Sequence, residues 1–466
     1  MISFFPKIIA NKGLILYFIC LVLVSVAFMS YAMGAVWIVL GIVEVTLFFV
    51  VSPDLIKKWG RCSPKMFVKN IFWIALLLRI IWVLFSYYFY MENTGGPFEY
   101  NAADSIAYHL DAKWLSENPW KETWFYLFAN RSNYSDSGYC LYLSIVYRIV
   151  GPSVFLARLL KAVFGSITCV LIYKLAARSV GEKTGRMAAV FAMLMPNLII
   201  YCGLHLKEIE MLLLMVLFLE RSDFLLRSRK ITLWNAVVPM LIAGYLFLFR
   251  TVAGVVALFS LITAIVFSPN NMVRKGRRVA LAVWVALGVS VLAGGVIMNE
   301  VEELWMNRNT NQDARRTSQT LRGNQWAKYA TGSVMAPMMF VLPFSTMVDT
   351  DQENQMIMHG GNFVRNFMGI FVLISFYVAL IEKKNWRDFA LIGSFAISYL
   401  GIIAMSGFAN AERFLLPGLP CLIIFWAYGI SNLNVKNYRF VKLWYLVVPV
   451  MEIAWAYFKI GSRGLL

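Results

Sequence analysis

The chain has 466 residues, of which 60% are hydrophobic and only 15% are charged. About a quarter of the residues are charged in a soluble globular domain, so this composition excludes that class. With a mean hydropathy of +0.66, we expect an all-α polytopic membrane protein, in which helices satisfy their own backbone polar groups within lipid. The net charge of +18 does not indicate a nucleic-acid partner, because the basic residues concentrate in alternate loops.

The apolar runs predict about thirteen transmembrane helices, since a span needs about 20 predominantly apolar residues. The first run follows Lys7 and Lys12, and a second run follows almost at once. We therefore interpret the first run as an uncleaved anchor rather than a signal peptide. The predicted spans lie near 14–32, 35–52, 68–90, 153–178, 186–203, 209–226, 232–249, 251–268, 279–298, 362–381, 389–406, 413–431 and 441–459.

Loop charge predicts the direction of these spans. The first long loop, 91–152, carries seven acidic residues against four basic ones. Loops on the other side are rich in Lys and Arg, which places them in the cytoplasm and loop 91–152 at the outer face. The basic clusters lie within 57–69, 183–186, 221–230, 274–278, 383–387 and 436–439.

The outer loop contains an acidic, partly amphipathic stretch, 101–115, that predicts a helix lying on the bilayer surface. In a helix, Asp104, Tyr108 and Asp111 share one face. Another face carries an apolar stripe of Ile106, Ala107, Leu110 and Trp114. Such a helix would hold a carboxylate at the depth of the lipid headgroups. The alternative is that Asp104 only caps the helix and that Asp111 is a solvated surface charge.

Two apolar stretches are too short to cross a membrane. Counting 138–151 as a span would invert every later loop, so we expect a second interfacial helix there, and the same argument applies to 333–348. The latter lies inside a second outer region, 299–361, which carries four arginines on the side where positive charge is unusual. These residues, Arg308, Arg315, Arg316 and Arg322, either meet an anionic ligand or belong to a solvated loop.

Several ionisable residues are pinned between spans at the outer surface. They are Lys207 and Glu208, Arg250, and Glu412 with Arg413. Ionisable groups at membrane depth are costly unless they pair, snorkel or face a wet cavity, so they are functional candidates. Such cations can bind a lipid phosphate and stabilise it as a leaving group, while a carboxylate serves as general base towards an acceptor hydroxyl. For any single residue, snorkelling or a local ion pair remains the alternative.

Other chemistries lack their motifs. The chain has no Walker A motif, no His-Glu-x-x-His and no Gly-x-Ser-x-Gly, and its six cysteines show no paired spacing for a disulfide framework or a zinc site. We expect His109, His205 and His359 to be polar surface residues rather than ligands. No internal repeat is visible, which argues against a secondary transporter.

The stretch from 101 to 250, with a further match near 413, resembles the GT-C lipid-phosphosugar-dependent glycosyltransferases. Within that superfamily it is most similar to the branch that holds the protein O-mannosyltransferases and the lipid A aminoarabinose transferase. Asp104 with Tyr108 four residues later looks like the family's catalytic Asp and following Tyr. The interfacial helix at 138–151 also resembles the family in order and spacing. The remaining matches are Ala157-Arg-Leu159, Gly185-Arg-Met-Ala-Ala189, Pro196, Lys207-Glu208, Arg250 and Arg413-Phe-Leu-Leu-Pro417.

The resemblance implies a polyprenyl-phosphate sugar donor, inversion by single displacement, and a lipid, glycan or protein acceptor among membrane lipids. It implies catalytic roles for Asp104 and Glu208. It also implies donor-phosphate binding by Lys207, Arg250 and Arg413, and substrate binding by Tyr108, Asp111 and Tyr139. We expect no cofactor. Some branches need a divalent metal, but no Asp-x-Asp pair in the outer loops before Glu208 indicates one here.

On this reading the chain divides into four regions. They are an N-terminal transmembrane hairpin (1–67), a GT-C-like catalytic core (68–298) that includes loop 91–152, the second outer region (299–361) and C-terminal transmembrane helices (362–466). The protein would be a multi-pass protein of a bacterial inner membrane with its site facing the periplasm or outside. Two alternatives remain open: a polysaccharide polymerase or O-antigen ligase with a diphosphate-linked donor, and a lipid transporter.

Overall fold

The computed structural model describes residues 4–129, 136–228, 232–267, 336–350, 352–405 and 412–462. These residues form helices and connecting segments without a β-strand, so the predicted all-α class is confirmed for them. The predicted span at 279–298 and the four arginines of the second outer region lie outside the described residues.

Eighteen α-helices make up the described part of the chain. The first nine are α1 (Lys7–Ala27), α2 (Ala35–Trp59), α3 (Pro64–Thr94), α4 (Ala103–Glu117), α5 (Trp120–Ala129), α6 (Ser137–Val150), α7 (Val154–Val180), α8 (Glu182–Leu194) and α9 (Pro196–Ile200). The others are α10 (Glu208–Arg227), α11 (Leu233–Phe249), α12 (Thr251–Phe267), α13 (Glu353–Met356), α14 (His359–Tyr377), α15 (Ala390–Met405), α16 (Glu412–Leu415), α17 (Leu419–Ser431) and α18 (Val435–Ser462).

Eight helical segments among the described residues are long and apolar enough to cross a membrane, or nine if the bent pair α8 and α9 is one span. This agrees with a multi-pass membrane protein, but the predicted count of about thirteen is not confirmed. Helix α11 has 17 residues, a rise of about 26 Å against a hydrocarbon core of about 30 Å. An apolar run in the sequence therefore does not by itself give a helix of spanning length.

The bend between α8 and α9 measures 57° and follows from Pro196, which has no N–H to donate. The carbonyl of Ala192, four residues earlier, therefore needs another donor. Arg79 of α3 supplies it, because its guanidinium donates to Ala192 O at 3.3 Å and to Met193 O at 3.4 Å. A wholly buried arginine thus joins α3 to the break.

The outer-loop helix predicted at 101–115 is confirmed as α4, with its apolar stripe exposed. Ile106, Leu110 and Trp114 are 43%, 57% and 48% exposed, as expected for a helix whose apolar face meets lipid headgroups. The capping alternative for Asp104 is wrong, because Ala102 is the N-cap and Asp104 lies in the first turn. Asp104 is therefore available for contacts outside its own helix.

The helix predicted at 138–151 is confirmed as α6, which has 14 residues and is short for a span, while its place at the membrane interface stays a prediction. The third prediction is wrong over the residues that the structure describes. Residues 336–338 form a 3-10 turn, and 339–350 contain no helix and are largely buried. Asn366 of α14 satisfies this backbone, since its amide donates to Val341 O and Pro343 O and accepts from the N–H of Ser345.

The first two helices pack against the last ones. Helix α1 contacts α18, and α2 contacts α14 and α8. Tyr17 of α1 forms a buried hydrogen bond of 2.9 Å with His359 of α14, and Glu44 of α2 accepts from the N–H of Gly361 at 2.7 Å. The N-terminal pair is therefore part of the main helix bundle rather than a separate unit.

Candidate active site

Arg413 lies at the centre of the candidate site and contacts two carboxylates from distant parts of the chain. Its NH1 is 2.5 Å from Oδ2 of Asp104, and its Nε is 3.4 Å from Oε1 of Glu208. The side chain of Arg413 is 26% exposed, that of Asp104 is 51% exposed and that of Glu208 is wholly buried. The site thus has one carboxylate that solvent reaches and one that it does not.

Glu208 is held between two arginines. It opens α10, and its Oε1 lies 3.6 Å from NH2 of Arg250 as well as near Arg413. Arg250 ends α11, donates to the hydroxyl of Tyr399 at 3.1 Å, and has its guanidinium carbon 4.7 Å from the ring centre of Phe414. A buried carboxylate needs such partners, since an uncompensated charge there costs several kcal/mol.

Lys207, the residue before Glu208, forms a second group of contacts beside α6. Its ammonium donates to a carboxylate oxygen of Asp136, which precedes α6, and to Phe249 O at 2.6 Å. Burial and the neighbouring Arg250 lower the pKa of Lys207 to about 7. The sequence did not single out Asp136, although an acid just before the predicted interfacial helix was the available signal.

The three predicted substrate-binding residues separate in the structure. The hydroxyl of Tyr108 donates to Asp136, the partner of Lys207, at 3.2 Å, and the ring of Tyr108 meets that of Tyr139 edge-on at 5.2 Å. Tyr139 is fully buried beneath it. Asp111 is not in the cluster, since it accepts from the hydroxyl of Tyr126 at 3.2 Å. Burial and Glu208 raise the pKa of Tyr108, which keeps its hydroxyl protonated as a donor.

A cavity of about 260 Å³ opens beside Asp104 and Arg413. Its exposed lining is mainly apolar, and charged side chains, amides and hydroxyls make up the smaller polar part, as is usual for a small-molecule site. The far wall belongs to the last helix, α18, through Trp455 and Lys459. Other polar lining residues are Glu99, Asn101, Ser105, Tyr201, Thr346, Asn354, Gln355, Asn362 and Glu412.

Two further carboxylates line the cavity and were not predicted as site residues. Glu412 accepts from the amide of Asn197, which also donates to Asn362 at 3.0 Å. Glu99 accepts from the hydroxyl of Ser105 and lies 3.6 Å from the guanidinium of Arg158. Glu412 had been noted beside Arg413, whereas Glu99 gave no signal beyond its place in an acidic loop.

The surface assignment of the histidines is wrong for two of the three. His205 and His359 are wholly buried, and His109 is only partly exposed. Tyr147 connects two of them, since its hydroxyl lies 2.8 Å from Nδ1 of His109 and 3.3 Å from Nε2 of His205. Among the residues described, no group of three or more His, Cys, Asp or Glu side chains could hold a metal ion.

Comparison with known proteins identifies no relative of this chain. No family model matches the chain, and a search of curated proteins finds no match. The resemblance to the GT-C superfamily therefore stays a prediction from the residues quoted above. In the described structure, ion pairs join four of the eight predicted site residues, Asp104, Glu208, Arg250 and Arg413. Lys207 and Tyr108 form a second group, because both contact Asp136.

Proposed function

We propose that the protein is an integral membrane glycosyltransferase that moves a sugar from a polyprenyl-phosphate donor to an acceptor hydroxyl at the outer face. One observation carries the proposal: Arg413 contacts both Asp104 and Glu208 at the edge of a cavity. A cation, a solvent-accessible carboxylate and a cavity that admits the substrates are the three parts that displacement at a sugar phosphate requires.

In the proposed step, the oxygen of the acceptor hydroxyl attacks the anomeric carbon of the sugar, and Asp104 takes the proton of that hydroxyl. The bond between that carbon and the phosphate oxygen breaks, and polyprenyl phosphate leaves as an anion. Attack from the opposite face inverts the configuration. Asp104 is the better base of the two acids, because half of its side chain is exposed and it lines the cavity, whereas Glu208 is wholly buried.

Glu208 then serves to place the arginines. It lies within 4 Å of both Arg250 and Arg413, so it fixes two guanidinium groups near the place of the leaving phosphate. Arginine suits this role, since its planar group can bind phosphate oxygens in pairs. Arg413 is paired with Asp104, so an arriving phosphate competes with Asp104 for Arg413. That competition weakens the hold of Arg413 on Asp104 and frees the carboxylate to meet the acceptor hydroxyl.

The test is a transfer assay on the purified full-length protein in lipid nanodiscs. Polyprenyl-phosphate hexoses and polyprenyl-diphosphate hexoses are supplied in parallel with a set of short acceptors, and the released lipid is identified by mass spectrometry. We expect release of polyprenyl monophosphate from the first donor class, and its loss in Asp104→Asn.

The two alternative functions give different results in the same assay. Turnover of the diphosphate donor alone would indicate a polymerase or ligase. A lipid that crosses the bilayer of a vesicle without forming a covalent product would indicate a transporter. Either result would refute the proposed transfer from a monophosphate donor.

A further inference from the structure

We infer that Glu99 is a positioning residue that holds Asp104 and Glu208 at their working separation. The inference rests on the proposed function for its kinetic consequences, but its geometric part stands on contacts alone. Glu99 lies in the connection between α3 and α4, five residues before Asp104, and is only 5% exposed.

The carboxylate of Glu99 joins three separate segments. Its Oε1 accepts from the hydroxyl of Ser105 in the first turn of α4. Its Oε2 accepts from the backbone N–H of His205 at 3.4 Å and lies 3.6 Å from NH2 of Arg158 on α7. One side chain therefore connects the helix that carries Asp104, the segment that leads into Glu208, and the main bundle.

Tyr147 also joins these two segments, since its hydroxyl lies 2.8 Å from His109 of α4 and 3.3 Å from His205. Glu99 differs in the place of its contacts, because Ser105 directly follows Asp104 and His205 precedes Glu208 by three residues. Glu99 therefore helps to set where the two carboxylates stand relative to Arg413.

Burial makes this clamp rigid. Ser105 and Arg158 are wholly inaccessible to solvent, and Glu99 nearly so. Charges in such a place strengthen the hydrogen bonds that surround them, because the local dielectric constant is low. Small displacements matter at such a site, since a misplacement of about 1 Å can lower turnover about a hundredfold.

The kinetic test compares Ser105→Ala with Ser144→Ala. Ser144 is the matched control, because it is also wholly buried and also makes one hydrogen bond, to Leu141 O at 2.8 Å within α6. We expect Ser105→Ala to lower kcat by about 10- to 100-fold, with donor KM changed less than about twofold. Ser144→Ala should leave both constants near wild type. Glu99→Asp should recover part of the kcat that Glu99→Gln loses.

The geometric test needs no turnover. Spin labels on Leu110 of α4 and Leu156 of α7, which are 57% and 38% exposed, report the distance between the Asp104 helix and the bundle. A Cys62→Ser background suits the labelling, since the other five cysteines are buried. We expect a single narrow distance in the parent and in Ser144→Ala, and a broadened or shifted distance in Ser105→Ala and Glu99→Gln.

The outcomes separate this inference from the proposed function. If the parent protein transfers no sugar from any donor, the proposed function fails, and the label distance still decides the role of Glu99. An unchanged distance in Ser105→Ala and Glu99→Gln overturns the inference, whether or not kcat falls. A changed distance with kcat equal to that of Ser144→Ala overturns it as well, because the clamp would then have no catalytic consequence.

Discussion

Replacing Asp104 with Asn separates a catalytic carboxylate from a structural one. Asparagine keeps the size of the side chain and an oxygen that can accept from Arg413, but it cannot take a proton at neutral pH. We expect turnover to fall by about a hundredfold or more, which is about 2.7 kcal/mol in the activation free energy. The measurement is kcat with a saturating polyprenyl-phosphate hexose.

The stability cost of the same change is smaller. An ion pair as exposed as that of Asp104 and Arg413, with side chains 51% and 26% exposed, contributes about 0–1 kcal/mol. The charge in the first turn of α4 adds about 0.3–1 kcal/mol through the helix dipole. Expression and the thermal midpoint should therefore stay close to wild type, and donor binding should be retained.

Asp111→Asn is the comparison within the same helix. Asp111 contacts Tyr126 rather than the arginine cluster, so its loss should lower kcat far less. The reasoning would be refuted if Asp104→Asn kept near-normal turnover while Glu208→Gln abolished it, because the base would then be Glu208. A large fall in the thermal midpoint of Asp104→Asn would also contradict it.

Three further predictions follow from the same site. Arg250→Ala should weaken donor binding by roughly 1.5–3 kcal/mol, measured by titration calorimetry, and Arg250→Lys should recover only part. Because the pKa of Lys207 is about 7, its ammonium is charged below that pH and neutral above it. Affinity for a phosphodiester donor, whose own charge stays constant, should therefore fall up to about tenfold from pH 6 to pH 8, and Lys207→Arg should remove the dependence. An impermeant thiol reagent should label Lys113→Cys from outside and spare Lys183→Cys.

Each of these three predictions would be refuted by a specific result. Unchanged donor affinity in Arg250→Ala would reassign that arginine to a structural ion pair with Glu208. A pH dependence that persists in Lys207→Arg would place the titrating group elsewhere. The reverse labelling pattern would put Asp104 in the cytoplasm and remove the basis for an outer-face reaction. Both labelled positions are exposed, so access does not limit the comparison.

The sequence predicted the local elements of the site well. The helical spacing of polar and apolar residues predicted α4, and the length of the apolar run predicted the short helix α6. Charges pinned between spans identified Lys207, Glu208, Arg250 and Arg413, because membrane depth makes such groups costly without partners.

The sequence could not predict which acidic side chain pairs with which basic side chain. Arg413 and Asp104 are 309 residues apart, and no periodicity connects positions that far apart. Asp111 looked equivalent to Asp104 on the same helix face, but it lies about two helical turns further along α4, where it contacts Tyr126 instead. Glu99 was one acid among seven in its loop, and only its contacts with Ser105, His205 and Arg158 distinguish it.

The cavity wall formed by α18 has a consequence for how the protein is made. Trp455 and Lys459 follow every predicted catalytic residue in the chain, so they are synthesised after all of them. Until then the cleft beside Asp104 is open on one side, and α1 lacks the helix against which it packs. A stop codon just before α18 would therefore spare every predicted catalytic residue, yet produce a chain that biogenesis factors and membrane proteases should recognise as incomplete.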